Sequence, residues 1–391
     1  MKIHTTRSDP NIILVFTGSL LFQTVQIGTY PILISQILAN KSVDSGIIGI
    51  FVAISWVPVL VFGPLVPRII RIFGYGFTNF VAFVLTAVCF AWLLVFDDPI
   101  SLLFSATCLG IGLIFRWISC DALIVHLSNA GTRGKTIGLH EALMGLGIGL
   151  GPLMFVVPDL TTITTICLGL SIAGQVAFYF ADTSSATWEE GAREPHRRWF
   201  FLKAILVALA AAAVSGFIEN SAIALFPLHF DNFGYSLAAS AVLVSSFGFG
   251  GTLLQPPLGY LADRKSYKFA QSVCIAAIVF SCAVVMIFPG IFAVMIVALF
   301  ILGGAAGGLN TLAVIEAGQT LDKSKVPAAM TAIAMLYTLG SIVGPITSGA
   351  VLDVLAHNGM VVLFCIAGVT LAAIVIAFQN ISHSGPESPS D

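Results

Sequence analysis

Charged side chains are scarce in this chain of 391 residues, because Asp, Glu, Lys and Arg make up 9% of it whereas 58% is hydrophobic. So few polar residues cannot cover the surface of a water-soluble protein of this length. A mean hydropathy of +1.00 points the same way. The chain is expected to be surrounded by lipid. The net charge of −2 comes without a basic block, so no nucleic-acid partner is expected.

Paired cysteines and cofactor motifs are also missing. The seven Cys residues fall inside apolar runs without paired spacing. This pattern predicts reduced, packed thiols, and neither disulfides nor a metal site. The Gly-rich stretches have no Lys-Ser/Thr after them, so they do not indicate a phosphate loop. The sequence therefore predicts no cofactor and no enzyme activity.

Long apolar runs dominate the chain instead. Each predicted span is about as long as the 20 or so residues that a helix needs to cross a bilayer. The first is too long for the core of a cleaved signal peptide, so it is expected to remain as the first helix. The twelve predicted spans are residues 12–38, 46–67, 75–96, 100–127, 136–157, 161–181, 204–230, 236–258, 269–288, 291–317, 326–352 and 359–378.

Lys and Arg collect on one side of these spans. Lys41 lies in a loop on the other side, where the loops carry Asp residues, and Arg116 falls inside a span. Basic loops remain in the cytoplasm when a membrane protein inserts. Both termini are therefore predicted to be cytoplasmic, in a protein of the inner membrane.

A charged hairpin, residues 259–268, joins the eighth and ninth predicted spans. Its Gly259 would let two helices approach closely, and its Asp263 could cap a helix or pair with a base. Shifting the chain by 196 residues places Gly259 to Arg264 on residues 63–68, and Gly, Leu and Arg coincide. The hairpin therefore has a counterpart in the first half of the chain.

A second internal repeat occurs at nearly the same offset, 193 residues. It aligns Gly147 to Pro152 with Gly340 to Pro345, and both copies read G-x-x-x-G-P. Small residues at this spacing let membrane helices pack closely, so one copy alone is weakly specific. Two repeats at matched offsets predict two related halves.

The hairpin pattern G-x-x-x-D-R-x-x-x-[KR] resembles the loop between helices 2 and 3, or 8 and 9, of the major facilitator superfamily. The G-x-x-x-G-P pattern resembles the helix 5 signature of its drug/proton antiporter-like branch. This resemblance covers essentially the whole chain. It implies an all-α integral membrane fold of twelve transmembrane helices in two pseudo-symmetric six-helix bundles. It also implies a central cavity lined by helices 1, 4, 7 and 10.

The predicted domains follow from this resemblance. Residues 1–182 form the N-terminal bundle, 183–203 a polar cytoplasmic linker, 204–379 the C-terminal bundle and 380–391 a cytoplasmic tail. The chain departs from the family pattern in three places. Pro67 replaces an Asp in the first-half loop, Leu153 and Met154 replace a Gly-Gly pair, and helix 1 has no acid.

Glu219 is the strongest candidate for a proton and substrate site. An ionisable group costs about 2.5–3.5 kcal/mol at the centre of a membrane helix, so such groups indicate function. Glu219 lies in the middle of its span, and its repeat partner is Gln23, which shares a helix face with Gln26. The amides Asn220 and Asn310 are assigned to the same site. The alternative is a structural Glu219, permanently protonated or bonded to Asn220 or to a neighbouring helix.

Arg116 also lies near the middle of its span and cannot readily discard its charge. Asp121 is five residues away, about 140° around the helix, and is a poor partner. Glu141 or Glu219 are the expected partners, and an anionic substrate is a further possibility. The alternative is a purely structural salt bridge. Glu141 itself could simply be an acid near a helix N-terminus, and His126 and His140 receive no role.

Asp121 and Glu316 are related at an offset of 195 residues, and both lie toward the basic ends of their spans. Glu316 followed by Lys323 resembles the acid and base that join the loop Arg in the family's cytoplasmic gate. A gate of salt bridges made in one conformation and broken in the other is favoured over direct coupling. The predicted gating residues are Gly259, Asp263, Arg264, Asp121, Glu316 and Arg68.

These features predict a monomeric secondary transporter that moves a small organic solute by alternating access. Coupling to protons is expected, and the helix 5 signature slightly favours efflux. Uptake of a vitamin-sized heteroaromatic, similar to riboflavin, or of another nutrient is the alternative. A non-transporting membrane sensor or subunit of the same fold is the other class, but such a protein should tolerate loss of the intramembrane charges.

Overall fold

A computed structural model describes residues 10–128, 133–157, 159–181, 204–322, 325–355 and 357–383, and within these ranges every regular element is helical. Helices satisfy their own backbone hydrogen bonds, which is why apolar spans in lipid take this form. The predicted linker, 183–203, lies outside the described residues. The last helix continues past Gln379 to His383, into the segment predicted as a tail.

The helices can be numbered by membrane span. They are α1 (Pro10–Ala39, with a π-helical segment Thr24–Thr29), α2 (residues 45–65), α3 (Val66–Leu93), α4 (Pro99–Leu127), α5 (Arg133–Leu150, continued by the 3-10 segment Gly151–Val156), α6 (Leu160–Phe180), α7 (Leu206–Asp231), α8 (Leu237–Arg264), α9 (Tyr267–Ile287), α10 (Phe292–Thr320), α11 (Val326–Leu355) and α12 (Gly359–His383).

Two of the predicted spans are continuous in the structure. Among the described residues, eleven helical stretches are long and apolar enough to cross a membrane, and one of them, Ser45–Leu93, has 49 residues. A straight helix of that length would be about 73 Å long, more than twice the roughly 30 Å of hydrocarbon. Gly74 breaks it with φ of 81° and ψ of 171°, a conformation that favours glycine.

The contacts of α4 indicate that the chain reverses between Ser55 of α2 and Thr86 of α3, in the stretch that contains Gly74. Gly110 of α4 packs against Ser55 of α2, whereas Gly112 packs against Thr86 of α3. The two glycines are about 3 Å apart along their helix, but Ser55 and Thr86 would be more than 40 Å apart on one straight helix. The described residues therefore cross the membrane twelve times, as the sequence predicts.

Two spans begin at a capping aspartate. Asp98 accepts hydrogen bonds from the backbone of Ile100 at 3.1 Å and Ser101 at 3.2 Å, before α4. Asp159 accepts one from Thr162 at 2.8 Å, before α6. Bonds from Ser101 and Thr162 lower the pKa values of these two carboxyl groups. Both caps satisfy amides that a helix start leaves free, and they fix where each span leaves the loop.

The repeated G-x-x-x-G-P motifs pack the helices within each half. Gly151 of α5 lies against Gly28 of α1, and a methyl group added at Gly28 would lie 2.6 Å from the carbonyl oxygen of Gly147. In the second half Gly344 of α11 lies against Phe217 of α7 in the same way. The predicted packing role of these glycines is confirmed, and the α1–α5 and α7–α11 pairs are equivalent.

The loop charges distinguish the two ends of the molecule. Arg68, Arg264 and Lys265 lie at one end, called here the basic end. Lys41 and Asp97 lie at the other, called the opposite end, where their side chains form an ion pair at 2.7 Å. Loops that are far apart in sequence thus meet at the end that the charge pattern predicts.

The two halves contact each other closely toward the opposite end. Gly49 of α2 lies against the carbonyl of Pro345 in α11, where any side chain would overlap the backbone. Asp353, near the end of α11, accepts hydrogen bonds from the backbone of Ser45 at 2.7 Å and Gly46 at 2.8 Å. These amides start α2, where a helix attracts negative charge. The α2–α11 contact therefore closes this side of the molecule.

A second contact between the halves joins α5 and α8. A methyl group added at Gly248 would lie 2.8 Å from the Cα atom of Gly149, and Gly149 itself packs against the ring of Phe249. Such an approach requires glycine on both helices. The pairs α2–α11 and α5–α8 are equivalent under the repeat, so the closure is pseudo-symmetric.

The hairpin at the basic end differs from its prediction in two details. Nothing lies within 4 Å of a methyl group added at Gly259, so this glycine does not mark a close helix approach here. Asp263 lies in the last turn of α8, which ends at Arg264, and it cannot cap the next helix. Ser266 is the cap, and it accepts a bond from the backbone of Phe269 at 3.1 Å.

Candidate functional site

A cavity of about 260 Å³ lies between the two halves. Its wall includes residues of α1, α2, α4 and α5 from the first half and of α7, α8, α10 and α11 from the second. Six of the seven side chains predicted for the substrate and proton site line it: Gln23, Arg116, Glu141, Glu219, Asn220 and Asn310. The seventh, Gln26, contacts Arg116 behind the wall.

Arg116 is bound by amides and not by the carboxylates that the sequence predicted. Its Nε donates to Gln26 Oε1 at 2.7 Å, and its Nη2 donates to Gln23 Oε1 at 2.6 Å. The other side of the Gln26 amide donates to Thr86 Oγ1 at 2.8 Å, which fixes its orientation. The two glutamines project together from α1, where its α-helix meets the π-helical segment.

The third nitrogen of Arg116 has a weaker partner. Nη1 lies 3.7 Å from the sulfur of Met144 on α5, and a thioether is a poor acceptor. Arg116 is 2% exposed. Neutral groups accept its hydrogen bonds, and both Arg116 and Met144 line the cavity. An anionic or strongly polar group of a solute could bind there.

Glu219 is bonded to Tyr337 of α11. The phenol donates to Glu219 Oε2 at 2.6 Å. A methyl group added at Gly307 of α10 would lie 3.0 Å from Glu219 Oε1. Asn220 is not its partner, because the Asn220 amide donates to Ser341 Oγ at 2.8 Å. The bond to Tyr337 of a neighbouring helix is compatible with both the functional and the structural role of Glu219. The carboxylate thus links α7 to α11 and lies beside α10.

Asn310 leaves an acceptor in the cavity wall. Its Oδ1 is buried and has no hydrogen-bond partner among the described residues. Buried amide oxygens in native proteins are nearly always satisfied. A water molecule or a donor of the solute is the expected partner.

Three aromatic side chains of the wall have no counterpart in the sequence predictions. Trp117 contacts Trp56 with ring centroids 6.5 Å apart, and Trp56 contacts Tyr337 at 6.1 Å, both in edge-to-face geometry. Trp56 belongs to the first half and Tyr337 to the second, so this row crosses between the halves. Tryptophan and tyrosine are usually found at membrane interfaces. These three lie near the middle of their predicted spans, and that unusual depth could have indicated that they line the cavity.

Three phenylalanines, Phe22, Phe115 and Phe217, lie at cavity depth along their predicted spans, where they could contact a flat solute, but their side chains lie elsewhere. Phe22 packs against Phe178, and Phe217 packs against Phe364, with centroids 6.1 Å and 6.2 Å apart. Neither lines the cavity, and Phe115 is buried as well. Depth along a helix placed them near the site, but rotation about the helix axis turned them into the bundles.

Asp121, His140 and Glu141 form a cluster on the wall. His140 Nδ1 lies 3.6 Å from Asp121 Oδ1, and Asp121 and Glu141 both line the cavity. Helix α5 begins at Arg133, so Glu141 is about two turns inside it and is not the N-terminal acid that the sequence suggested. The sequence assigned no role to His140, because a lone histidine near a membrane surface is expected to be solvated, but the structure buries it at 2% exposure.

The predicted gating residues are spread over the basic end. Arg68, Asp263 and Arg264 are exposed, and the Arg264 guanidinium lies 5.4 Å from the ring centre of Tyr260. Glu316 is buried and accepts a bond from Gln271 Nε2 at 2.6 Å. In this conformation Arg264 and Glu316 are therefore engaged with neighbours on α8 and α9. The proposed partner Lys323 lies outside the described residues.

Two membrane bundles that enclose a polar cavity at mid-span have the architecture of a secondary transporter. The family model of the Major Facilitator Superfamily matches residues 12–266 and 208–391. The chain belongs to this family, and it is a multi-pass membrane protein.

Relatives of the chain include transporters without an assigned substrate. The uncharacterized MFS-type transporter YcaD of Escherichia coli is 24% identical over 381 residues, which cover 95% of this chain and 96% of that one. The uncharacterized MFS-type transporter YfkF of Bacillus subtilis is 26% identical over 251 residues, which span 62% of this chain and 63% of that relative.

Solved structures of the same fold are more distant in sequence. A mutant of the nucleoside transporter NupG has a TM-score of 0.78 at 12% identity and covers 94% of this chain and 99% of its own. A D-xylose–proton symporter has a TM-score of 0.75 at 13% identity, with coverage of 94% and 96%. At such low identity these similarities establish the fold and no substrate.

Proposed function

We propose that this protein is a proton-coupled transporter of a small organic solute in the inner membrane, with export as its direction. The observation that carries the proposal is one cavity that holds Arg116 from the first half and Glu219 from the second. An intramembrane ionisable residue marks a transport path or proton relay by default. A non-transporting protein of this fold would have no use for two such groups facing one cavity.

Alternating access is supported by the unequal ends of the molecule. The halves meet closely at Gly49 and Pro345 toward the opposite end, while the cavity wall extends toward the basic end through Gln255, Val314 and Met330. The positive-inside rule assigns the basic end to the cytoplasm. The conformation is thus inward-facing, and both termini are cytoplasmic.

Proton coupling is assigned to Glu219. As a carboxylate it accepts a hydrogen bond from the phenol of Tyr337, and Tyr337 in turn contacts Trp56 in the other half. Protonation of Glu219 would remove its charge and change that hydrogen bond. A proton at Glu219 can therefore bias how α11 sits against α2, which is the contact that closes the opposite end.

The second candidate is uptake of a flat heteroaromatic nutrient. The observation that favours it is the row formed by Trp117, Trp56 and Tyr337, whose rings offer surfaces for stacking against such a solute. The cavity volume of about 260 Å³ lies just below the range of small-molecule sites, which starts at about 300 Å³. Both candidates therefore involve a small solute, and they differ in the sign of coupling.

The test is transport in proteoliposomes with an imposed pH gradient of either sign and a panel of labelled solutes. An exporter that exchanges solute for protons accumulates solute in the vesicles only when the lumen is more acidic than the medium. Protons then leave the lumen as solute enters. Glu219→Gln keeps the shape and hydrogen bonding but removes titration. It should abolish gradient-driven accumulation and retain exchange of solute for solute, which needs no net proton movement.

Asp231→Asn is the matched control, since Asp231 is an exposed acid at the end of the same helix. It should leave both activities as in the unchanged protein. Normal accumulation by Glu219→Gln would remove this residue from coupling. Accumulation under the reverse gradient would replace export by uptake.

A further inference from the structure

A cluster of three potential metal ligands lies on the cavity wall where α4 meets α5. Asp121, His140 and Glu141 each offer one ligand atom, and these atoms all lie within 4.8 Å of one another. Three atoms at that separation are about 2.8 Å from their common centre. Metal–ligand bonds to nitrogen and carboxylate oxygen are about 2.0–2.2 Å, so side-chain movements of less than 1 Å would complete the geometry.

The histidine supplies an independent sign that the cluster is incomplete. His140 is 2% exposed, and its Nε2 is buried without a hydrogen-bond partner among the described residues. Its Nδ1 faces Asp121 Oδ1 at 3.6 Å, longer than a hydrogen bond. The ring is held by stacking on Phe16, with centroids 5.9 Å apart. Nδ1 is therefore the ring nitrogen that faces the cluster without a hydrogen bond, and a metal ion there would satisfy it.

We propose that Asp121, His140 and Glu141 bind one divalent first-row transition-metal ion inside the transport cavity. One imidazole nitrogen with two carboxylate oxygens suits ions such as Mn²⁺, Co²⁺ or Zn²⁺, whereas Mg²⁺ prefers oxygen ligands alone. Asp121 and Glu141 line the cavity, so the ion has a path to the cluster and water or solute can fill the remaining positions.

The nearby Arg116 does not cancel this attraction. It lies five residues before Asp121, about 140° around α4, and its bonds run to Gln23 and Gln26 on α1. With a metal ion bound, both carboxylates would be ionised, and their two negative charges would exceed the single charge of the guanidinium. An anionic group coordinated to the metal would also lie within reach of Arg116, which links the ion to solute binding.

The experiment is a titration of the purified full chain in detergent with Mn²⁺, followed by the loss of the free-ion signal in electron paramagnetic resonance. One ion should bind per chain and should resist a large excess of Mg²⁺. His140→Ala, His140→Gln and Asp121→Asn should each weaken the Kd about tenfold or more, since even outer-shell changes at metal sites cost 10- to 100-fold. Size-exclusion profiles confirm that the variants are folded.

Two controls make the result specific. His126→Ala removes an exposed histidine from α4, and Asp231→Asn removes an exposed acid at the end of α7. Both should bind Mn²⁺ as the unchanged protein does. The proposal is overturned if no saturable binding occurs at millimolar Mn²⁺, if the cluster variants keep the original Kd, or if Mg²⁺ displaces Mn²⁺ equally well. Binding is measured without transport, so this outcome is independent of the proposed function.

Discussion

At the scale of single residues, the cavity holds charges that are bonded to neutral partners. Amides of Gln23 and Gln26 hold Arg116, and the phenol of Tyr337 holds Glu219. Neutral partners satisfy hydrogen-bonding groups and fix their geometry, but they leave the charge itself uncompensated. Both groups can therefore respond to a proton or to a charged solute. A direct salt bridge would compensate their charges and remove that response.

Arg116→Lys tests whether the planar guanidinium matters. An ammonium group keeps the charge but cannot donate to both glutamines in the fixed fork geometry. A lost charge-assisted bond costs about 1.5–3 kcal/mol, so the rate of solute exchange at low solute concentration should fall about tenfold or more. Arg71→Lys, at the exposed basic end of α3, is the matched control and should transport normally. Unchanged exchange in both variants would make Arg116 dispensable.

At the scale of helices, glycine determines where elements approach. Gly49 of α2 lies against the backbone of Pro345, and Gly349 of α11 lies against the backbone of Ser45. These contacts join the halves, so opening of the opposite end would have to break them. The same residue type therefore packs helices within each half and forms the contact that must open during alternating access.

Gly49→Ala should shift the conformational equilibrium. The added methyl group would overlap the carbonyl of Pro345, and overpacking of this kind costs about 1–3 kcal/mol. Because the cost applies to the closed α2–α11 contact, the fraction open at the opposite end should rise roughly fivefold or more.

Spin labels at Ile100 and Ile291 measure the fraction of molecules that are open, because both residues are exposed at the opposite end and belong to different halves. Opening should appear as a larger population at long label-to-label distances. Gly169→Ala on α6 is the control, since nothing lies within 4 Å of its added methyl group. Equal distance distributions in the two variants would show that the α2–α11 contact does not govern closure.

At the scale of the whole molecule, charge and packing define one axis. The basic residues lie at one end, the Lys41–Asp97 pair at the other, and the close contacts between the halves lie toward that second end. The loop charges determine how the protein inserts into the membrane, and transport depends on the contacts between the halves. The orientation of the protein therefore determines which side of the membrane the open cavity faces.

Cysteine labelling tests this orientation. Lys41→Cys and Lys265→Cys, in a background without native cysteines, place single exposed thiols at the two ends. An impermeant maleimide added to intact cells should label position 41 at once and position 265 only after permeabilisation. The reverse order of labelling would mean that the basic end is outside the cell, and the described conformation would then be outward-facing.

Much of this architecture follows from sequence alone because lipid imposes simple constraints. Apolar runs must be helices, charges in them must be rare, and glycines at i and i+4 allow close packing. These constraints predicted the twelve spans, the packing of Gly151 and Gly344, and the polar side chains that line the cavity. Each of these features depends on position along one helix or on a repeat within the chain.

Tertiary structure decided the partners. The amides on Arg116, the row from Trp117 to Tyr337 and the meeting of His140 with Asp121 all join helices that are distant in sequence. A contact of this kind depends on how far each helix is rotated about its axis, which is set by packing against all its neighbours at once. Hydropathy is nearly uniform around these helices, so no local pattern records that rotation.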